Sequence, residues 1–182
     1  MKLETVSLRL EKRRDADARE ALLDAAFGDA RFAKTCERLR EINTPADGLS
    51  LVAIKQGHLI GTLRLWPVMT GDGREALLLG PLAVDADERS AGIGARLMKL
   101  AIKRARRAGH QAILLVGDAP YYTRFGFSPD LTRGLDLPGP VDRARFLGLE
   151  LVPGALQGAS GVLQAAPVAQ ASHKPIKLPL AA

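Results

Sequence analysis

The sequence predicts an α/β fold, a sheet flanked by helices, on three observations. Leu77-Leu78-Leu79-Gly80-Pro81-Leu82-Ala83-Val84 reads as a buried strand, and Asp85 to Gly94 as a polar loop closed by two glycines, Gly92 and Gly94. After that loop Ile93, Leu97, Leu100, Ala101, Ala105 and Ala108 recur at helical spacing, with Arg96, Lys99, Lys103, Arg106 and Arg107 mainly on the other face. Ala112-Ile113-Leu114-Leu115-Val116 is then short and continuously apolar, as a strand covered on both faces must be. A strand–helix–strand unit of this kind implies a parallel pair and a right-handed crossover.

The remaining elements follow in chain order. Val6 to Leu10 alternates apolar and polar residues and predicts a first strand. Asp15 to Phe27 carries Ala18, Leu22, Ala25 and Ala26 at helical spacing and stops near Gly28. A second helix is expected over Arg31 to Ile42, closed by Asn43-Thr44-Pro45. The runs from Leu49 to Ile54 and from His58 to Trp66 flank Lys55-Gln56-Gly57, a hairpin signal with glycine where a left-handed turn residue is wanted. Gly71-Asp72-Gly73 is a second turn. Gly109 stops the long helix, a short helical piece lies around Tyr121 to Phe125, and Leu147 to Val152 is a further strand. The expected organisation is one domain over residues 1–164 and an extended or mobile tail over 165–182, which is low in complexity and rich in proline.

Composition narrows the function. With 182 residues, 47% hydrophobic and 25% charged, the chain suits an ordinary globular domain. Its one cysteine, Cys36, rules out an internal disulfide framework and reads as a small core residue. The first residues lack a secretory apolar region, and the longest apolar run, Ala76 to Val84, falls well short of the roughly 20 residues a bilayer requires. A soluble, cytoplasmic protein with no membrane partner is expected. The net charge of +6 suits an anionic ligand. Nucleic acid is disfavoured, because aromatics make up only 4% and no base-stacking motif appears. His58, His110 and His173 are scattered without metal-ligand spacing, so no metal is expected.

A strand, a glycine loop and a helix together present free N–H groups where a phosphate binds well. Three phosphate ligands compete. A nucleoside triphosphate loop needs Gly-Lys followed by Ser or Thr, whereas Gly94 precedes Ala95 and Arg96. A dinucleotide loop needs a third glycine where Leu97 stands, and it opens on the first strand of its domain. The third ligand is coenzyme A.

Arg89-Ser90-Ala91-Gly92-Ile93-Gly94 resembles the Arg/Gln-x-x-Gly-x-Gly/Ala motif of the GNAT superfamily of acyl-CoA-dependent N-acyltransferases. Tyr122-Thr123-Arg124-Phe125-Gly126-Phe127 is similar to that superfamily's Tyr-x-x-x-Gly-Phe element, 28 residues beyond Gly94. Leu149 to Leu156 resembles the corresponding segment of its YhbS-type subgroup. The resemblance covers about Val6 to Phe127. It implies a mixed, mostly antiparallel central sheet with one splayed parallel strand pair and flanking helices.

The resemblance also implies roles. The amides of Ser90, Ala91, Gly92, Ile93, Gly94 and Ala95, beside Arg89, would hold the pyrophosphate of acetyl-CoA. The backbone of Leu82, Ala83 and Val84 would meet the pantetheine arm. Tyr122 would protonate the departing thiolate, with its neighbour Tyr121 as the alternative acid. A phenol with a pKa near 10 is suited to a thiolate whose conjugate acid is near 8.5. Many members carry a glutamate base where this chain has Gly80-Pro81, and Asp118 stands where relatives often have asparagine. Glu75, Asp85 and Asp87 read as solvated turn acids and receive no catalytic role, while the basic face at Arg96, Lys99 and Lys103 reads either as a solvated face or as an attraction for the ligand's phosphates. Trp66 reads as a strand-end packing residue.

The expected activity is transfer of an acetyl group from acetyl-CoA directly to a primary amine. The alternative is a non-catalytic acyl-CoA-binding or regulatory module. The acceptor, a small molecule or a protein, is not fixed by the sequence, and a homodimer is left open. Its pocket is expected from the segments Phe27 to Asp47 and those after Phe127.

Overall fold

A computed structural model describes residues 5–32 and 34–166. Strand β1 (Ser7–Leu10) leads into helix α1 (Ala16–Phe27), which Gly28 ends. Strands β2 (Ser50–Lys55), β3 (His58–Met69) and β4 (Glu75–Val84) form successive antiparallel hairpins. Helix α2 (Ile93–Arg107) and strand β5 (Ala112–Val116) complete the crossover, and β5 lies parallel to β4. A four-residue helix α3 (Ala119–Tyr122) and a 3-10 turn (Thr123–Phe125) follow. Two-residue strand β6 (Leu135–Asp136) precedes β7 (Phe146–Glu150), and β8 (Gly161–Val162) and β9 (Gln164–Ala165) end the described chain. The main sheet runs β1-β2-β3-β4-β5-β7 with β9 on β3, while β6 and β8 pair separately.

The expected second helix over Arg31 to Ile42 is replaced by two 3-10 turns, Asp29–Arg31 and Thr35–Leu39. In the second turn only Cys36 and Leu39 are buried. Their spacing of three suits a 3-10 turn and leaves no apolar stripe long enough to hold an α-helix against the sheet. Trp66 is not at a strand end: it lies within β3 and is buried. The strand expected over Leu147 to Val152 starts and ends earlier, at Phe146 and Glu150. At the other end, Gln164 and Ala165 pair with Met69 and Val68. Residues 167–182 of the expected tail lie outside the described residues.

Alternation along β4 divides the core. Leu77 and Leu79 face a cluster with Leu51, Leu63, Ile113 and the buried stripe of α2. Ala76 and Leu78 face the opposite cluster with Trp66, Val68, Leu114 and Phe146. Helix α1 covers Ala83 with Leu22 and Leu23. The stripe of α2 is Ile93, Leu97, Met98, Ala101 and Ala105; Leu100 is half-buried and Ala108 exposed. Leu97 is fully buried at its centre. Leu97→Ala is expected to lower the unfolding free energy by about 2–5 kcal/mol, read by chemical denaturation.

Two features open the sheet where a ligand can enter. β4 and β5 pair only at Leu77 with Ile113 and Leu78 with Leu114, so β4 beyond Leu78 leaves its β5-facing edge unpaired. In the same place β3 residues Leu63 and Leu65 face β4 residues Leu82 and Leu79, so Arg64 alone stands opposite Gly80 and Pro81. That extra residue is a β-bulge, which bends the strand and ends ladder pairing. Pro81 has no N–H to offer a neighbour. The bulge is held from behind by the Trp66 indole N–H, which donates to the Gly80 carbonyl at 2.7 Å.

Candidate active site

Gly92 caps the N-terminus of helix α2, and its φ of 70° is in the left-handed region that glycine adopts without strain. The N–H groups of Ile93, Gly94 and Ala95 have no backbone acceptor among the described residues, as expected of a first helical turn. Gly94 and Ala95, with the positive end of the helix dipole, border a cavity of about 490 Å³. Leu82, Ala83, Val84, Arg89, Ser90, Gly92, Gly94 and Ala95 line that cavity. Neither Ala91 nor Ile93 lines it, and the Ile93 side chain is fully buried in the core. The absence of a side chain at Gly94 admits Tyr121: a Cβ there would stand 2.8 Å from the Tyr121 hydroxyl. The Arg124 guanidinium lies 3.9 Å above the Tyr121 ring.

A second cavity, about 1120 Å³, begins at the splay. It shares Phe27, Leu82, Arg89 and Tyr121 with the first, so the two adjoin. Its walls include Leu79, Gly80 and Pro81 from β4 and Leu115, Val116 and Gly117 from the end of β5. Segments between Phe27 and Arg40 and between Leu137 and Arg145 close the far side.

Tyr122 stands in this second cavity, half-buried. Its ring rests on the bare α-carbon of Gly117: a Cβ there would overlap Cε2 and lie 2.9 Å from Cδ2. Tyr121 meets it edge-on with centroids 4.9 Å apart, and Phe127 does so at 6.1 Å. Burial first, and then the neighbouring Tyr121, push the Tyr122 phenol up to about 12. A raised pKa keeps the proton on, so Tyr122 is a neutral donor throughout the physiological range. The two tyrosines are thus divided by place: Tyr121 lies against the glycine loop, and Tyr122 lies where the strands part.

The acids are less eventful. Asp85 caps the turn before the loop by accepting from the Asp87 N–H at 3.0 Å. Asp118 lines the larger cavity with its side chain largely in solvent. Among the described residues no three His, Cys, Asp or Glu side chains form a metal-ligating group. Two participants escaped the sequence reading. Gly117 carried a signal, a glycine closing an apolar strand where another group approaches the backbone closely. Arg40, whose Nη2 lies 3.1 Å from where a Gly80 Cβ would be, carried none.

This frame has known relatives. Residues 16–127 match the model of the acetyltransferase (GNAT) family, and the chain belongs to that family. It is 31% identical over 162 residues to the uncharacterized N-acetyltransferase YhbS of Escherichia coli (strain K12), covering 86% of this chain and 94% of that protein. A crystal structure of YhbS from Escherichia coli in complex with CoA superposes with a TM-score of 0.75 at 29% identity, over 90% of this chain and 91% of that one. A GNAT family acetyltransferase from Brucella melitensis in complex with acetyl-CoA gives 0.65 at 25% identity, over 90% and 95%.

Proposed function

We propose that this chain transfers an acetyl group from acetyl-CoA to a primary amine, with no covalent enzyme intermediate. The observation that carries the reading is the adjacency of two cavities. One is floored by free amides at a helix N-terminus, and the other holds a neutral, half-buried phenol beside the splayed strands. Structural neighbours solved with CoA and acetyl-CoA support the choice of donor.

In this reading the amides of Ser90 to Ala95 hold the pyrophosphate, with Arg89 alongside. The unpaired edge of Leu82, Ala83 and Val84 receives the pantetheine amides as a partial extra strand. The thioester then lies at the bulge, facing the larger cavity from which the amine attacks. As the carbon–nitrogen bond forms and the carbon–sulfur bond breaks, Tyr122 gives its proton to the sulfur. Gly80-Pro81 offers no carboxylate to take the proton lost by the amine. The acceptor therefore arrives as the neutral amine, and the proton its nitrogen sheds as the amide forms passes through water in the open cavity and restores the Tyr122 phenol. A donor made in the cytoplasm accords with a cytoplasmic site of action.

Acetyl-CoA titrated calorimetrically should bind, and Gly92→Val should weaken it roughly tenfold. The left-handed φ costs a β-branched residue about 1–2 kcal/mol, and relieving that strain moves the loop amides. Unchanged affinity in Gly92→Val, or no binding by the natural chain, would refute the donor site.

A further inference from the structure

We infer that the larger cavity takes an amine acceptor that also bears a carboxylate, and that Arg40 grips that carboxylate. The inference rests on the acetyl-transfer reading and names its acceptor class.

Arg40 follows the 3-10 turn anchored by Cys36 and Leu39, which carries its guanidinium under the β4 bulge. Room is made there by the missing side chain at Gly80, where a Cβ would press on Arg40 Nη2. Only 11% of the Arg40 side chain is exposed. Nη1 is paired with Glu37 at 3.3 Å. Among the described residues, Nε is buried with no hydrogen-bond partner and none accepts from Nη2.

A buried, unpaired donor on a charged group is costly and is rarely left unused. Nε and Nη2 lie on one edge of the planar guanidinium, the edge that meets the two oxygens of a carboxylate in parallel. Arg40 lines the larger cavity and not the one at the glycine loop, so phosphates held at the loop do not supply those oxygens.

The surroundings favour an anion as well. Cationic side chains outnumber carboxylates along this wall by five to three. Lys34 and Arg145 have no ion-pair partner among the described residues. Of the carboxylates, Glu37 is paired with Arg40, and Asp142 accepts from the Ala144 N–H at 3.0 Å. Because Gly80 is part of the bulge where the strands part, the anion is held close to the reacting amine. This fits compact amino acids better than long diamines.

The test is calorimetric titration of CoA-saturated protein with matched amines: a series of free amino acids, and the carboxamide and decarboxylated amine of each. Thioester consumption is followed in parallel with acetyl-CoA. In the natural chain the carboxylate form should bind roughly 10- to 100-fold tighter than its carboxamide. Arg40→Gln should abolish the difference while retaining CoA affinity, which also shows that it folds. Arg40→Lys, which keeps the charge without the two-donor edge, should keep only part of it. Equal binding of carboxylate and carboxamide, binding of neither, or a preference that survives Arg40→Gln would overturn the inference. Should Arg40→Gln fail to fold, the comparison in the natural chain and Arg40→Lys still decides. Arg40-dependent binding without thioester consumption would instead overturn acetyl transfer and leave the carboxylate site standing. Equal consumption with carboxamides would do the reverse.

Discussion

Tyr122→Phe is expected to lower kcat about a hundredfold or more, with acetyl-CoA affinity changed less than threefold, a general acid being worth roughly 10²–10⁴ in rate. The substitution removes one oxygen and leaves the ring in its seat on Gly117, against Tyr121 and Phe127. A phenol pushed up to about 12 is a weak acid for a thiolate near 8.5 in water. The comparison changes inside the site, because burial disfavours both anions and raises the thiol along with the phenol. The proton transfer is thereby brought closer to balance. The pH dependence has a definite sign: loss of the Tyr122 proton lies near pH 12, so it imposes no alkaline fall in kcat up to about pH 10. Tyr121→Phe is the control. Its hydroxyl lies against Gly94 at the loop, so its loss should appear in donor affinity more than in kcat. If Tyr121→Phe takes the large loss in kcat and Tyr122→Phe does not, the assignment of the acid is reversed.

Gly117→Ala should be nearly as damaging, although it adds only a single methyl group beneath the Tyr122 ring. The new Cβ would overlap the Tyr122 ring, so the ring must leave its place or β5 must move. Overpacking of this kind costs about 1–3 kcal/mol of stability, which a folded domain tolerates, but the hydroxyl is displaced from where the carbon–sulfur bond breaks. Displacement of a positioned group by about 1 Å is enough for a hundredfold loss. The double variant Gly117→Ala/Tyr122→Phe separates the causes. If Gly117 acts through Tyr122, the pair should be no slower than Tyr122→Phe alone. Additive losses would show that Gly117 shapes the cavity by another route.

The parts of this picture that were legible in the sequence are those in which local pattern and global fold agree. The apolar run at Leu77 to Val84, the Gly92–Gly94 loop and the stripe from Ile93 to Ala105 each carry their own period or turn chemistry. Together they located the strand, loop and helix to within a residue or two. The two-residue strands β6, β8 and β9 were not legible, because two residues have no period. The segment from Arg31 to Ile42 misled for a related reason. It is rich in helix-forming residues, but its two buried anchors, Cys36 and Leu39, do not define a helical face, so packing decided its form. The bulge had a visible mark in Pro81, which a central strand rarely tolerates. Pairings distant in sequence left no such mark. That Arg40 lies under Gly80, or that Trp66 holds the Gly80 carbonyl, depends on how the hairpin and the 3-10 turn stack. Which of Tyr121 and Tyr122 lies against the glycine loop likewise depends on the rotation of a four-residue helix.

The most direct measurement is release of free CoA thiol and appearance of acetylated amine when the purified chain is given acetyl-CoA and a panel of primary amines. Equal amounts of thiol and acetylated product should form with at least one amine, no acetyl group should remain on the protein, and Tyr122→Phe should remove most of the rate. Tight binding of acetyl-CoA with no thiol released across the panel, in the natural chain and in Tyr122→Phe alike, would contradict acetyl transfer and identify an acyl-CoA-binding module instead.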